Sequence, residues 1–211
     1  MYVVGKSGSG KSKFVELLAY SDVMNDRGFA VLDPHGDLVD NVLMQIPEHR
    51  MKDVIVFDPT DLAHPVGFNP LEEVPEEYRQ EFTNSFLEIF KKLFGEAWNA
   101  RLEHVMRFCV LALLEVGNAT VLSIIKLLTD RDYRQSIIKK LEDQTVKNFW
   151  TNEFAAWSEK FDSEAIMPIL NKVAQFVSSP MIRNIVCQID NKMNLSDIMD
   201  SKKILLVKLS K

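Results

Sequence analysis

Residues Gly5-Lys6-Ser7-Gly8-Ser9-Gly10-Lys11-Ser12 fit G-x-x-x-x-G-K-[ST] in full, between the apolar run Tyr2-Val3-Val4 and an amphipathic stretch from Lys11 to Met24. Strand, glycine-rich turn and helix in that order form the context in which such a loop cradles phosphate. Gly5, Gly8 and Gly10 let the backbone turn tightly, so that successive N–H groups point inward. A helix beginning near Lys11 presents its positive dipole end to the same anion. Lys11 is expected to meet the β- and γ-phosphates, and the Ser12 hydroxyl to complete a Mg²⁺ shell. The spacing therefore predicts an ATP and Mg site over Gly5, Lys6, Ser7, Gly8, Ser9, Gly10, Lys11, Ser12 and Lys13, with Ser12 on the metal.

The first third of the chain alternates strand and helix. Lys11 to Met24 reads as a helix with Phe14, Leu17, Leu18 and Ser21 on one face. Phe29 to Leu32 and Val54 to Phe57 read as strands stopped by Asp33-Pro34 and Asp58-Pro59, with a short helix from Leu38 to Ile46 between them. Continuous apolar strands separated by helices imply a parallel sheet covered on both faces, with Val3 among its strands.

From Leu71 the character changes. Phe82, Phe86, Ile89, Phe90, Leu93 and Phe94 recur at helical spacing, and Arg101 to Val116 is apolar on nearly every side, as a buried central helix would be. Thr120 and Asp130 or Asp132 stand where helix caps belong, and Val146, Phe149, Trp150, Phe154 and Trp157 mark another amphipathic segment. No strand pattern interrupts Glu76 to Gln188. Strand character returns at Ile204 to Leu209. A buried strand needs a sheet to join, and the first sheet is the one on offer. The expected layout is an α/β nucleotide-binding part (1–71), an all-α insertion (72–194) and a returning strand of the α/β sheet (195–211).

Composition bounds the rest. At 211 residues, 46% hydrophobic and 26% charged, the chain is long enough for a real core and is not of disordered composition. No apolar run approaches the ~20 residues that span a bilayer, so no direct membrane contact is expected. Cys109 and Cys187 sit in apolar helical surroundings and read as reduced core residues of a cytoplasmic protein. Net charge is −5, and residues 72–194 carry 15 basic against 18 acidic side chains. That balance makes the helical block a poor stand-alone DNA binder and favours protein contact there.

Hydrolysis needs further groups: an acid on the metal and one that orients water. Asp33 is the candidate, through a metal-bound water, against the plainer reading of a cap on the Pro34-His35-Gly36 turn. Asp58 reads as structural, and His35 as an incidental turn residue. A GTPase reading fails, since Asn171-Lys172 and Asn191-Lys192 open N-K-x-D but are followed by Ala174 and Asn194.

These residues carry a resemblance. Gly5 to Ser12 followed by Val31-Leu32-Asp33-Pro34-His35-Gly36-Asp37 resembles the start of the motor domain of type IV secretion and conjugation coupling proteins, the TraD/TraG group of the HerA–FtsK superfamily. Val54 to Asp58, Pro65 to Leu71, Trp98 with Arg101, Pro168 to Lys172 and Ile204 to Ser210 fit the same pattern. The resemblance implies a RecA-like P-loop NTPase that forms a hexameric ring, moves DNA through it and carries an all-α domain for recruiting substrate. It implies work in the cytoplasm, for the intact protein at the cytoplasmic face of the inner membrane. The family's Walker B Asp-Glu strand and membrane-anchoring helices have no counterpart here, so the chain is expected to be a fragment, or a relative with impaired hydrolysis. The alternative is a non-motor module in which nucleotide switches protein docking.

Overall fold

The computed structural model describes residues 2–157, 159–191 and 193–209. Lys192 and Ser210, which end two stretches singled out in the sequence, lie outside them. The chain divides into two compact units: Met1–Val66 with Lys192–Lys211, and Gly67–Asn191.

In the first unit, α1 (Lys11–Met24), β1 (Phe29–Asp33), α2 (Asp37–Leu43) and β2 (Val54–Phe57) follow the loop, and α10 (Leu195–Asp200) and β3 (Ile204–Lys208) come from the far end of the chain. The three strands form one parallel sheet in the order β1-β3-β2. Phe29 pairs with Ile204 and Asp33 with Lys208 on one side, and Val54 with Ile204 on the other. The returning strand is thus the centre of the sheet. Its first three residues are buried, and Ile204 and Leu206 meet Val31, Ala19 and Val23 of α1, and Val39 and Val42 of α2. Burying an aliphatic side chain of this kind contributes about 1.5–3 kcal/mol, so this one cluster ties both ends of the sequence together. On the opposite face Leu205 packs with Met193, Ile198, Ile55 and Phe57.

Three expectations fail here. Tyr2-Val3-Val4 forms no strand and lies exposed, Tyr2 at 90% and Val4 at 76%. The outer edges of β1 and β2 carry no strand among the described residues, and three residues ahead of a glycine give a ladder little to hold. The face of α1 that carries Phe14, Leu17 and Leu18 points outward, Leu17 being 62% exposed, while Glu16, Ala19 and Val23 on the opposite side are buried. Small Ala19 and Val23 allow close approach to the sheet, and the Glu16 carboxylate is paired with Lys13 (2.5 Å) and Asn41 Nδ2 (3.0 Å). Finally, the sheet is not covered on both faces throughout. Leu32, on the Leu205 face, is 66% exposed because α10 shields β2 and β3 but not β1.

Arg50 holds this unit together from beneath. Its buried guanidinium donates to Asp53 (3.1 Å) and Asp26 (3.4 Å), and to the carbonyls of Val23, Arg27 and Lys202. The end of α1, the turn after it and the start of β3 share that one side chain.

Among its described residues the second unit has helices and connecting turns but no strand: α3 (Arg79–Phe94), α4 (Ala100–Val116), α5 (Val121–Thr129), α6 (Arg131–Ile138), α7 (Gln144–Asn148), a single π turn at Phe149–Glu153, α8 (Glu159–Ser178) and α9 (Pro180–Val186). Leu102, Val105, Met106, Cys109, Val110, Ala112, Leu113 and Leu114 bury α4 on almost every side, as its sequence requires. Burial drives the Cys109 thiol pKa strongly upward, which keeps it an inert core group. The caps fall where short polar side chains stand: Asn99 on α4, the Thr120–Ser123 capping box on α5, Asp130 on α6 and Asp143 on α7. Asn69 closes this unit, donating through Nδ2 to Ala119 O (2.8 Å) and through its backbone N–H to Asn191 Oδ1 (3.0 Å). Among the described residues no single helix is long and apolar enough to cross a membrane.

Candidate nucleotide site

The loop turns on two glycines in left-handed backbone, Gly8 (φ 80°) and Gly10 (φ 86°), and a Cβ on either would meet no atom within 4 Å. The strain of φ > 0, not crowding, requires glycine at both. Gly5 is different: a Cβ there would run into the Ser9 side chain. Ser9 N–H closes the turn on Lys6 O (3.2 Å).

Gly10 is also the N-cap of α1, and no side chain caps it. Phe14 N–H is bonded to Gly10 O (2.9 Å), while the N–H groups of Lys11, Ser12 and Lys13 have no acceptor among the described residues. Every helix start leaves such donors, and most of the helices here satisfy them with a polar side chain. In α1 they stay bare at the positive end of a 14-residue helix, which suits an anion.

Lys11 folds back over this opening, its Nζ donating to Gly5 O and Lys6 O, each at 2.8 Å. The ammonium is thereby held above the loop. The Ser12 hydroxyl is exposed and bonded to no protein group among the described residues, so it fits a place in a Mg²⁺ shell. Lys13 contributes its N–H, whereas its side chain is engaged with Glu16. The motif residues Gly5 to Ser12 thus come together as one surface, exposed except at Lys11.

Asp33 is buried at the end of β1. Its Oδ1 accepts from His35 N–H (2.9 Å), and its Oδ2 from Leu38 N–H (2.8 Å) and Val39 N–H (3.2 Å). Burial pushes its pKa up, but the N–H groups of His35, Val39, Leu38 and Gly36 outweigh it and the net shift is downward. These bonds make Asp33 the cap that starts α2. Asp58 is likewise engaged by its own turn, accepting from Thr60 N–H (2.9 Å) and Thr60 Oγ1 (2.6 Å). Gly36 is required between them: its φ is 94°, and a Cβ would strike Lys208 Cε at 2.6 Å. Sequence reasoning missed Arg50, Glu16 and Asn69, because besides near partners each also binds distant ones: Arg50 at 23 to 152 residues, Glu16 at 25 and Asn69 at 50 and 122.

A parallel α/β sheet with a G-x-x-x-x-G-K-S loop opening an uncapped helix places the chain in the class of P-loop NTPases. The match is to the family described as the central domain of the helicase HerA, over residues 1–211, and the chain belongs to that family. No curated protein matches it. Among solved structures the fold is that of the bacterial conjugative coupling protein TrwBΔN70 in its unbound monoclinic form, with TM-score 0.53 and 15% identity over 98% of this chain. The chain spans 44% of the length of that protein. Plasmid coupling protein TrwB in complex with a non-hydrolysable ATP analogue aligns with TM-score 0.49 and 16% identity over 98% of this chain and 46% of its own. The match to the HerA central-domain family agrees with the resemblance carried by Asp33-Pro34-His35-Gly36-Asp37.

Proposed function

We propose that this chain is the ATP-binding part of a DNA-translocating motor of the HerA and coupling-protein type. The observation that carries the reading is the bare start of α1, where the N–H groups of Lys11, Ser12 and Lys13 open onto a loop shaped by Gly8 and Gly10. In it the triphosphate lies on those donors, Lys11 releases the Gly5 and Lys6 carbonyls to meet the β- and γ-phosphates, and Ser12 shares the Mg²⁺. Mg²⁺ supplies charge neutralisation between the phosphates when bound. The helical unit is read as a domain inserted in the motor that docks a protein partner. The exposed apolar face of α1 and Tyr2-Val3-Val4 suit further sheet or a neighbouring subunit of a ring, with the assembly at work on DNA in the cytoplasm.

Calorimetry tests the site. Mg-ATP should bind the wild-type chain, and Lys11→Ala or removal of Mg²⁺ by chelation should weaken binding at least tenfold. Equal heats from wild type and Lys11→Ala would overturn the assignment.

One observation favours the second reading, a nucleotide-switched docking module. Asp33 and Asp58, the acids at the two strand ends nearest the loop in sequence, are both committed to their own turns. Neither is then free to orient water.

A further inference from the structure

In the helical unit, Arg131, Gln135, Arg134, Trp150, Phe154 and Trp157 line a cavity of about 270 Å³. Its groups are unequally engaged. Arg134 is fixed, donating through Nη1 to Leu127 O (2.9 Å) and Leu128 O (3.2 Å) while its guanidinium lies 5.0 Å from the Phe154 ring centre. Arg131 and Gln135, both exposed on α6, have no side-chain hydrogen bond among the described residues.

Trp150 is the anomaly. It is buried to 2% exposure, yet its Nε1–H has no acceptor, unlike every other buried side-chain donor among the described residues. An unmet buried donor costs about 1–3 kcal/mol. It sits in the π turn Phe149–Glu153, a rare geometry found most often at functional positions. Phe149 and Trp150 are both buried in this turn, and the indole packs against Phe149 and Phe154, with ring centres 4.9 and 4.8 Å apart.

The lining therefore offers two unengaged donors in Arg131 and Gln135, a third donor lacking an acceptor in Trp150, and aromatic walls in Phe154 and Trp157. That chemistry selects an acceptor-only anion joined to a flat apolar group. At about 270 Å³ the cavity is at the small end for a whole ligand and suits one or two anchoring side chains of a larger partner. Nucleic acid fits less well, because a phosphate backbone asks for a run of cations and Arg131 lies between Asp130 and Asp132. The geometry points to a docking site for a protein segment that presents a carboxylate beside an aromatic side chain. Arg131 receives the carboxylate, the indole N–H of Trp150 finds its acceptor as the cavity adjusts, and Phe154 and Trp157 hold the ring. This deepens the partner-docking role proposed above for the helical unit but is independent of nucleotide.

The test is a ¹H–¹⁵N titration of the full chain, followed at the assigned indole N–H of Trp150. Trp98, whose Nε1 donates to Glu103 Oε2 at 3.0 Å, serves as the internal control. The probe is a five-residue peptide carrying aspartate beside phenylalanine, blocked at both ends. It should shift the Trp150 signal saturably, and the asparagine counterpart should bind at least tenfold more weakly. Arg131→Ala, a change at an exposed position, should lose at least tenfold in affinity with the fold intact. Lys11→Ala should respond as wild type does, which separates this result from the fate of the ATP site. Equal response to the aspartate and asparagine peptides, or unchanged binding by Arg131→Ala, would overturn the proposal. So would a Trp150 shift produced as well by N-acetyl-phenylalanine alone, or at lower concentration by a single-stranded oligothymidylate.

Discussion

Lys208 Nζ donates to both carboxylate oxygens of Asp40, at 2.9 and 2.8 Å, across 168 positions of sequence. The contact locks the end of the central strand to the short helix that follows β1. It also lays the lysine stem across Gly36, so the turn capped by Asp33 is held from outside as well as within. The hydrogen bond to Asp40 raises the Lys208 pKa, burial opposes it, and the charges of Asp40, Asp58 and Asp37 add to the rise. A raised folded pKa means stability that is fully present below the ordinary lysine value and lost as pH rises through the folded value. Lys208→Met should therefore lower the urea midpoint at neutral pH. The gap from wild type should close above about pH 10.4, the ordinary lysine value. A gap that holds constant through that range would mean the ion pair contributes nothing.

Asp33 gives the opposite sign. Its folded pKa is lowered, so its contribution is complete above the ordinary aspartate value of about 3.9 and disappears as pH falls through the lower folded value. Asp33→Ala should cost about 1–2 kcal/mol at pH 7 through loss of the α2 cap. The variant and wild type should converge in acid. Mg-ATP affinity should change less than twofold, since the carboxylate is bound to its own turn. A tenfold loss of affinity with little loss of stability would move Asp33 into the nucleotide site.

Arg50 is the most exacting position of the α/β unit. Replacement by Met keeps its bulk but strands the carbonyls of Val23, Arg27 and Lys202, which should cost about 3 kcal/mol or more. Arg50→Lys should recover less than half of that, because a single ammonium cannot span acceptors that a planar fork reaches together. Chemical denaturation of the three proteins decides it. Lys restoring full stability would show that charge alone matters.

ATP turnover by this chain alone should be slow. In the proposed site the loop N–H groups, Lys11 and Ser12 would hold the ground state as firmly as the transition state, and rate requires groups that bind more strongly as the phosphoryl transfers. The loop is exposed, and the two nearest strand-end acids are engaged elsewhere. An arginine finger from a neighbouring subunit is worth about 10³–10⁵ in rate where it acts. Steady-state phosphate release, with Lys11→Ala as the blank, should fall far below the median enzyme turnover of about 10 s⁻¹. Turnover at that level would mean a catalytic carboxylate is present, and Asp33 would be the first to replace.

The loop, the helix after it, the strands at Phe29, Val54 and Ile204, and the caps at Thr120 and Asp130 were all legible in the sequence, because each depends on neighbours a few residues away. The choice of face on α1 was not. Phe14, Leu17 and Leu18 form the more hydrophobic stripe, yet the sheet received Ala19 and Val23, since helix-to-sheet approach is set by shape as well as hydrophobicity. Val3 misled for a related reason: an apolar triplet has strand character, but three residues make too few ladder bonds to hold a strand unless the surrounding structure buries them, and Tyr2 and Val4 lie exposed.

By itself, then, the sequence determined the glycine-rich loop and the return of a buried strand at Ile204, because glycine torsions, helix starts and continuous apolar runs are local properties of the chain. Tertiary structure alone decided that β3 is central, that Arg50 joins three segments and that the Trp150 N–H is left without an acceptor. Each of these depends on which distant groups come to share a buried volume, where a donor or a charge must find its partner nearby.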